Sequence, residues 1–279
     1  DACDFYAKEM GIDDKSEAAR AYIAHARKSP VVADEHHHGY PEAGNRPRGR
    51  RFKPIRLNLT TGGLAEQQRL CNLRGYSMEG VRMAIERGHL YFGRYMDSEC
   101  YFVTDKTRYN MDIRRLDGGV FTNGSKSYCP PGTSRTWPIG IMEAARYERI
   151  ALLEGSGDFL AAHCIIHREN IYSRVGGNPS VGVVGMMGVM DIPQEVVPLF
   201  RGKHVQVFPH LDPGPDRPGY RAVQRWRNSI TQAGGCVDPD FLFNDITDSR
   251  GEQVRDLNDL LRVDRRVLLQ EYRIGEILR

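Results

Sequence analysis

Long apolar runs are missing from this 279-residue chain. Crossing a bilayer takes about 18–20 consecutive apolar residues, and the most hydrophobic stretch, residues 180–190, is broken by Gly182, Gly185 and Gly188. No membrane partner is expected. Paired cysteines are missing too. Cys3, Cys71, Cys100, Cys129, Cys164 and Cys236 are scattered without a Cys-x-x-Cys pair, which excludes a zinc ribbon or a dense disulfide framework within these residues and fits reduced thiols in a cytoplasmic protein. There is no Gly-x-x-x-x-Gly-Lys-Ser/Thr loop for a nucleotide-driven motor, no Gly-x-Gly-x-x-Gly fingerprint and no Gly-x-Ser-x-Gly elbow. Charge of either sign is barely in excess: 39 Lys and Arg against 36 Asp and Glu give a net +3, which permits a polyanionic partner without demanding one.

What is present is a globular composition, 40% hydrophobic and 27% charged, enough to bury a core rather than remain disordered. Residues 1–27 carry apolar side chains at helical spacing, from Phe5 and Tyr6 to Tyr22 and Ile23, and read as a helical remnant of an upstream module. Because the chain opens on Asp1, a longer protein is expected. Residues 28–56 form a basic linker. It ends in Arg46, Arg48, Arg50, Arg51, Lys53 and Arg56 with no acid between them, a run able to grip phosphates. His36, His37 and His38 lie in the same tract, where adjacent imidazoles suit an exposed loop better than a metal site.

Residues 57–147 are expected to be a small mixed α+β subdomain. Two helical patterns flank Arg74-Gly75-Tyr76-Ser77, with Ser77 as the N-cap of the second. Short alternating runs then predict strands at 90–92, 100–104 and 109–116. Phe121 and Tyr128 have a chemistry suited to stacking on bases, but aromatic residues in such runs are more often core.

Residues 148–279 alternate strand and helix: strands at 150–153, 180–184 and 204–208, helices starting near Asp158, at 192–200 and at 216–233. The expected fold class is therefore α/β, a parallel sheet flanked by helices. In such sheets the working crevice lies beyond the carboxyl ends of the strands. The residues there are acidic: Glu154 and Asp158 after the first strand, then His210, Asp212 and Asp216 after the third. Gathered carboxylates repel one another unless a cation neutralises them, and oxygen donors favour Mg2+ or Mn2+. A competing role for Asp158 and Asp216 is helix capping, expected for one of them and compatible with metal binding. Arg217, Arg221 and Arg225 recur every four residues beside Ala222, Trp226 and Ile230, forming either a basic stripe for template or triphosphate, or solvated surface charge.

Glu154-Gly155-Ser156-Gly157-Asp158, then Gly185, then the acid-rich turn leading into Gly219-Tyr220-Arg221-Ala222, resemble the Toprim domain of bacterial-type primases, topoisomerases and certain nucleases. The likeness is closest to primases. Arg74-Gly75-Tyr76-Ser77 resembles the opening of a primase catalytic core, and Arg114 to Gly118 through Lys126 and Gly132-Thr133-Ser134 resembles the basic stretch before its Toprim unit. Asp256-Leu257-Asn258-Asp259-Leu260 resembles the acidic motif that ends it.

The resemblance implies synthesis of RNA primers on a single-stranded DNA template from nucleoside triphosphates, with magnesium and beside a replicative helicase. By position, Glu154 would be the catalytic acid or base, and the acids after the third strand metal ligands. Arg114, Arg115 and Lys126 would hold nucleic acid or nucleotide, as would Arg217 and Arg221. Any zinc would belong to an upstream ribbon. The family's Asp-x-Asp turn is altered here: His210 stands at the first acidic place, and Pro213-Gly214-Pro215 separates Asp212 from Asp216. That departure means a small insertion or a site that includes an imidazole, which suits manganese or zinc better than magnesium. Two rival readings keep the fold, a Toprim metal-dependent nuclease and a non-catalytic nucleic-acid-binding module of a replication protein.

Overall fold

The Arg74-Gly75-Tyr76-Ser77 turn joins the first two helices of the described fold. Gly75 adopts φ 73° and closes helix α1 (Leu64–Arg74), and the Ser77 side chain accepts from Gly80 N to start α2 (Met78–Glu86), as expected. The computed structural model describes residues 52–172, 181–211, 218–243, 245–272 and 277–278, and Phe52–Arg279 is one compact unit. The expected helical remnant, most of the basic linker, the histidine trio, and Asp212, Asp216 and Arg217 lie outside the described residues.

After α2 the chain forms an antiparallel sheet of β1 (Leu90–Tyr95), β2 (Ser98–Thr104) and β3 (Met111–Arg115), in that order. Phe121 is buried and Tyr128 packs beside it against Phe102 and Ile113, so both serve the core as expected. Trp137 Nε1 and Gly140 N donate to the buried Asp105, tying this sheet to the short helix α3 (Ile141–Ala144) that leads out of it.

The second sheet is parallel throughout. Its strands are β4 (Arg149–Glu154), β5 (Val181–Met186), β6 (His204–Phe208) and β7 (Cys236–Val237), in spatial order β5-β4-β6-β7. Helix α4 (Gly155–Tyr172) follows β4, and α5 (Pro218–Gln232) precedes β7; the expected helix at 192–200 is only a 3-10 turn, Val197–Phe200, because Pro193 and Pro198 deny the backbone donors a longer helix needs. Two short helices, α6 (Leu257–Leu260) and α7 (Arg265–Gln270), complete the unit.

Side chains alternate faces along a strand, and here both faces are covered. Ala151 and Leu153 pack toward α4 and the C-terminal helices, whereas Ile150 and Leu152 pack toward α5 around Ala222, Trp226 and Ile230. That double burial explains why β4 and β5 read as near-continuous apolar runs. The first of these cores also takes in Leu70, Tyr76 and Val81 of the helix pair, so the expected 147/148 boundary crosses a shared interior. Gly80 makes that possible: a Cβ there would lie 2.6 Å from Cys164 Cα, so only glycine lets α2 seat this closely on α4. Among the described residues no helix is long and apolar enough to cross a membrane.

Candidate metal centre

Gly155 sets the geometry of the site. With φ 82°, a value costly for any other residue, it turns the chain from β4 directly into α4, leaving Glu154 at the strand's carboxyl end. The helix thus starts before Asp158 rather than at it. Asp158 falls in the first turn and is not the N-cap, which leaves the expected capping role to Asp216, outside the described residues; the Asp158 carboxylate serves contacts outside its own helix.

Those contacts come from distant segments. Asp158 is 2% exposed; its Oδ2 lies 2.9 Å from His210 Nε2, just beyond β6, and its Oδ1 accepts from Asn258 N at 3.0 Å. Asp256, whose side chain caps α6 by accepting from Asp259 N, closes the group: donor atoms of Asp158, His210 and Asp256 lie within 4.8 Å of one another. Leu211 N bonds Arg255 O at 2.8 Å, fastening the two loops that carry His210 and Asp256.

The electrostatics follow from this crowding. Burial alone would favour neutral His210, but the bond to Asp158 and the negative field of Asp158, Glu154 and Asp256 outweigh it and push the imidazole up to about 9. Asp256 moves the same way for related reasons. Burial first, and then the Asp158 carboxylate, raise it to about 6, against the opposing bond from Asp259 N and the His210 charge. Burial and the neighbouring Asp158 carboxylate both disfavour the ionised form of Asp256, a penalty that a bound divalent cation would relieve.

The antiparallel sheet braces the turn between Glu154 and Asp158. Ser156 Oγ donates to the buried Asp112 at 2.5 Å, Arg114 Nε donates to the same carboxylate at 2.9 Å, and Tyr76 O–H donates to Gly157 O at 3.0 Å. Burial carries the Tyr76 phenol well above its ordinary range, so it remains a fixed donor. Arg74, which donates to Tyr101 Oη at 3.1 Å, completes the polar wall.

No protein-family model matches the chain, and no curated protein matches it.

The structure thus brings Asp158 and His210 together, within the field of Glu154, and adds Asp256. Asp256 stood in the sequence as part of an acidic motif, but only the fold of the 255–258 segment onto Leu211 puts its carboxyl beside Asp158. The basic residues fare differently. Adjacent positions on β3 face opposite sides, so Arg114 reaches the Ser156 turn while Arg115 pairs with Asp117 at 2.5 Å and Val120 O at 3.0 Å. Lys126 is exposed in the following loop. On α5, Arg221 is exposed, whereas Arg225 is tied to Asp191 at 2.5 Å and to Val189 O at 2.7 Å.

Proposed function

We infer that residues 57–279 form a primase-like catalytic core with a Toprim-type sheet, which uses Mg2+ or Mn2+ to join nucleoside triphosphates into RNA primers on single-stranded DNA. The observation that carries this reading is the convergence of Asp158, His210 and Asp256 at the carboxyl end of a parallel sheet, where the Glu154 charge also acts on His210. The donor set fits: oxygen ligands suit a hard dication, and an imidazole among them shifts the preference toward manganese.

Asp158 and Asp256 are the residues to hold the ion, Asp158 being aimed by the Asn258 amide. When bound, the cation supplies stabilisation of the charge that develops on phosphorus. Glu154, half-buried at the strand end, takes the proton from the primer 3′-hydroxyl. In the cation-free protein the His210 imidazolium balances Asp158 in its place. The cations of Arg114, which bonds Asp112, and of Lys126 on its exposed loop are the groups this reading assigns to template or triphosphate oxygens. A replicative helicase is the partner this activity calls for.

The test is incorporation of labelled ribonucleotides on single-stranded DNA with Mg2+ or Mn2+. Glu154→Gln should lower it at least about a hundredfold. A chain that binds Mn2+ in calorimetry yet makes no primer overturns the polymerase reading, and nicking of DNA without nucleotides would replace it with a nuclease. The His210–Asp158 pair favours one second reading, a non-catalytic nucleic-acid-binding module in which the imidazolium has taken over the cation's role. In that case calorimetry finds no Mg2+ or Mn2+ binding, and Asp256→Asn changes nothing.

A further inference from the structure

At the opposite, amino end of the parallel sheet, side chains of another chemistry gather. His204 opens β6 and Cys236 opens β7, and the two are direct partners in the parallel register. Residues paired in this way point to the same face, and Asp238, two positions past Cys236, returns to that face. The backbone fixes the arrangement: Cys236 N bonds Lys203 O at 2.8 Å and Asp238 N bonds Val205 O at 2.9 Å. Donor atoms of His204, Cys236 and Asp238 lie within 4.8 Å of one another, with His204 Nδ1 3.9 Å from Asp238 Oδ1.

Zinc bound tetrahedrally at about 2.0–2.3 Å places its ligand atoms about 3.3–3.8 Å apart. The trio therefore needs only a small inward rotation of side chains, of which Cys236 is exposed and His204 and Asp238 are partly so. A thiolate, a neutral imidazole and a carboxylate carry two negative charges, matching a dication, and the mixed sulfur and nitrogen donors select a borderline-soft metal over Mg2+.

We propose that His204, Cys236 and Asp238 form a zinc site with three protein ligands and a fourth position open to solvent. It is separate from the acidic centre and independent of the function inferred for it. Binding ties the two-residue strand β7 to β6, and therefore raises the melting temperature with the logarithm of free zinc above its dissociation constant.

The experiment uses the tag-free full chain, reduced and stripped with EDTA, in excess Mg2+ so that the acidic centre is saturated. Co2+ is titrated and the thiolate-to-cobalt charge-transfer absorption in the near ultraviolet is read. Neither the acidic centre nor His36, His37 and His38 holds a sulfur, so the band reports a cysteine ligand. The expected result is one equivalent of Co2+, displaced by Zn2+. The band should be lost in Cys236→Ser and weakened at least about tenfold in affinity in His204→Ala and Asp238→Asn. Cys3→Ser and Cys129→Ser should keep it. Wild type without the band, or a band that survives Cys236→Ser, overturns the site. Should Cys236→Ser not fold, alkylation of the wild type decides: Zn2+ must protect Cys236 from iodoacetamide, and unchanged labelling of that cysteine refutes the assignment.

Discussion

The two ends of the parallel sheet are built from opposite materials. At the carboxyl end, Asp158 is buried to 2% exposure and its partners arrive from β6 and from a loop near residue 256. At the amino end, His204 and Asp238 keep 44% and 33% of their side chains in solvent, and Cys236 is exposed. Low dielectric magnifies every charge at the first end, so its ionisations are displaced and its groups are coupled; water screens the second. One sheet thus carries a buried cluster of carboxylates and imidazole at one end and a more exposed cluster of imidazole, thiol and carboxylate at the other, and they differ most in burial.

If burial makes that difference, substitutions at the two ends must differ in cost in metal-free protein. The largest effect is expected for Asp158→Ala. It leaves the His210 imidazolium and the Asn258 amide without their acceptor, and should lower unfolding stability by about 3–5 kcal/mol in urea titrations with EDTA. Next comes pH. His210 is raised to about 9 in the folded protein. Its stabilising contribution is therefore complete below the ordinary imidazole value of about 6.5 and lost as pH climbs through 9, about 3 kcal/mol in all. Urea midpoints compared at pH 6.5 and 9.5, for wild type and His210→Gln, check this, and a variant with the same slope as wild type refutes it.

Asp256→Asn should act with the opposite sign. Asparagine keeps the cap on α6 but removes the charge that Asp158 repels, so metal-free protein gains about 1 kcal/mol while Mn2+ affinity falls at least about tenfold. Loss of both stability and affinity would mean that the carboxylate is structural. The smallest effect belongs to the other end: Cys236→Ser without metal should stay within about 0.5 kcal/mol of wild type. A larger loss there would remove the contrast on which the comparison rests.

Much of the scaffold was legible before any coordinates. Ser77 announced the start of α2, and the apolar runs at 150–153 and 204–208 announced β4 and β6, because capping and strand burial are local requirements. The start of α4 was misplaced because aspartate is a favoured cap; the left-handed turn at Gly155 overrode that preference three residues earlier. Arg114 and Arg115 stood as one basic pair along the chain, yet the pleat sends one toward the Ser156 turn and the other into a hairpin with Asp117.

The sequence by itself determined the alternating grammar of the α/β unit, the acidic residues after its strands and the imidazole at His210, since each is set by neighbours along the chain. Only the tertiary structure decided that Asp256 joins Asp158, and that Cys236 lies beside His204. Both pairings join segments far apart in sequence through loop docking and parallel register. The backbone hydrogen bonds that fix them leave no periodic trace in the residues they bring together.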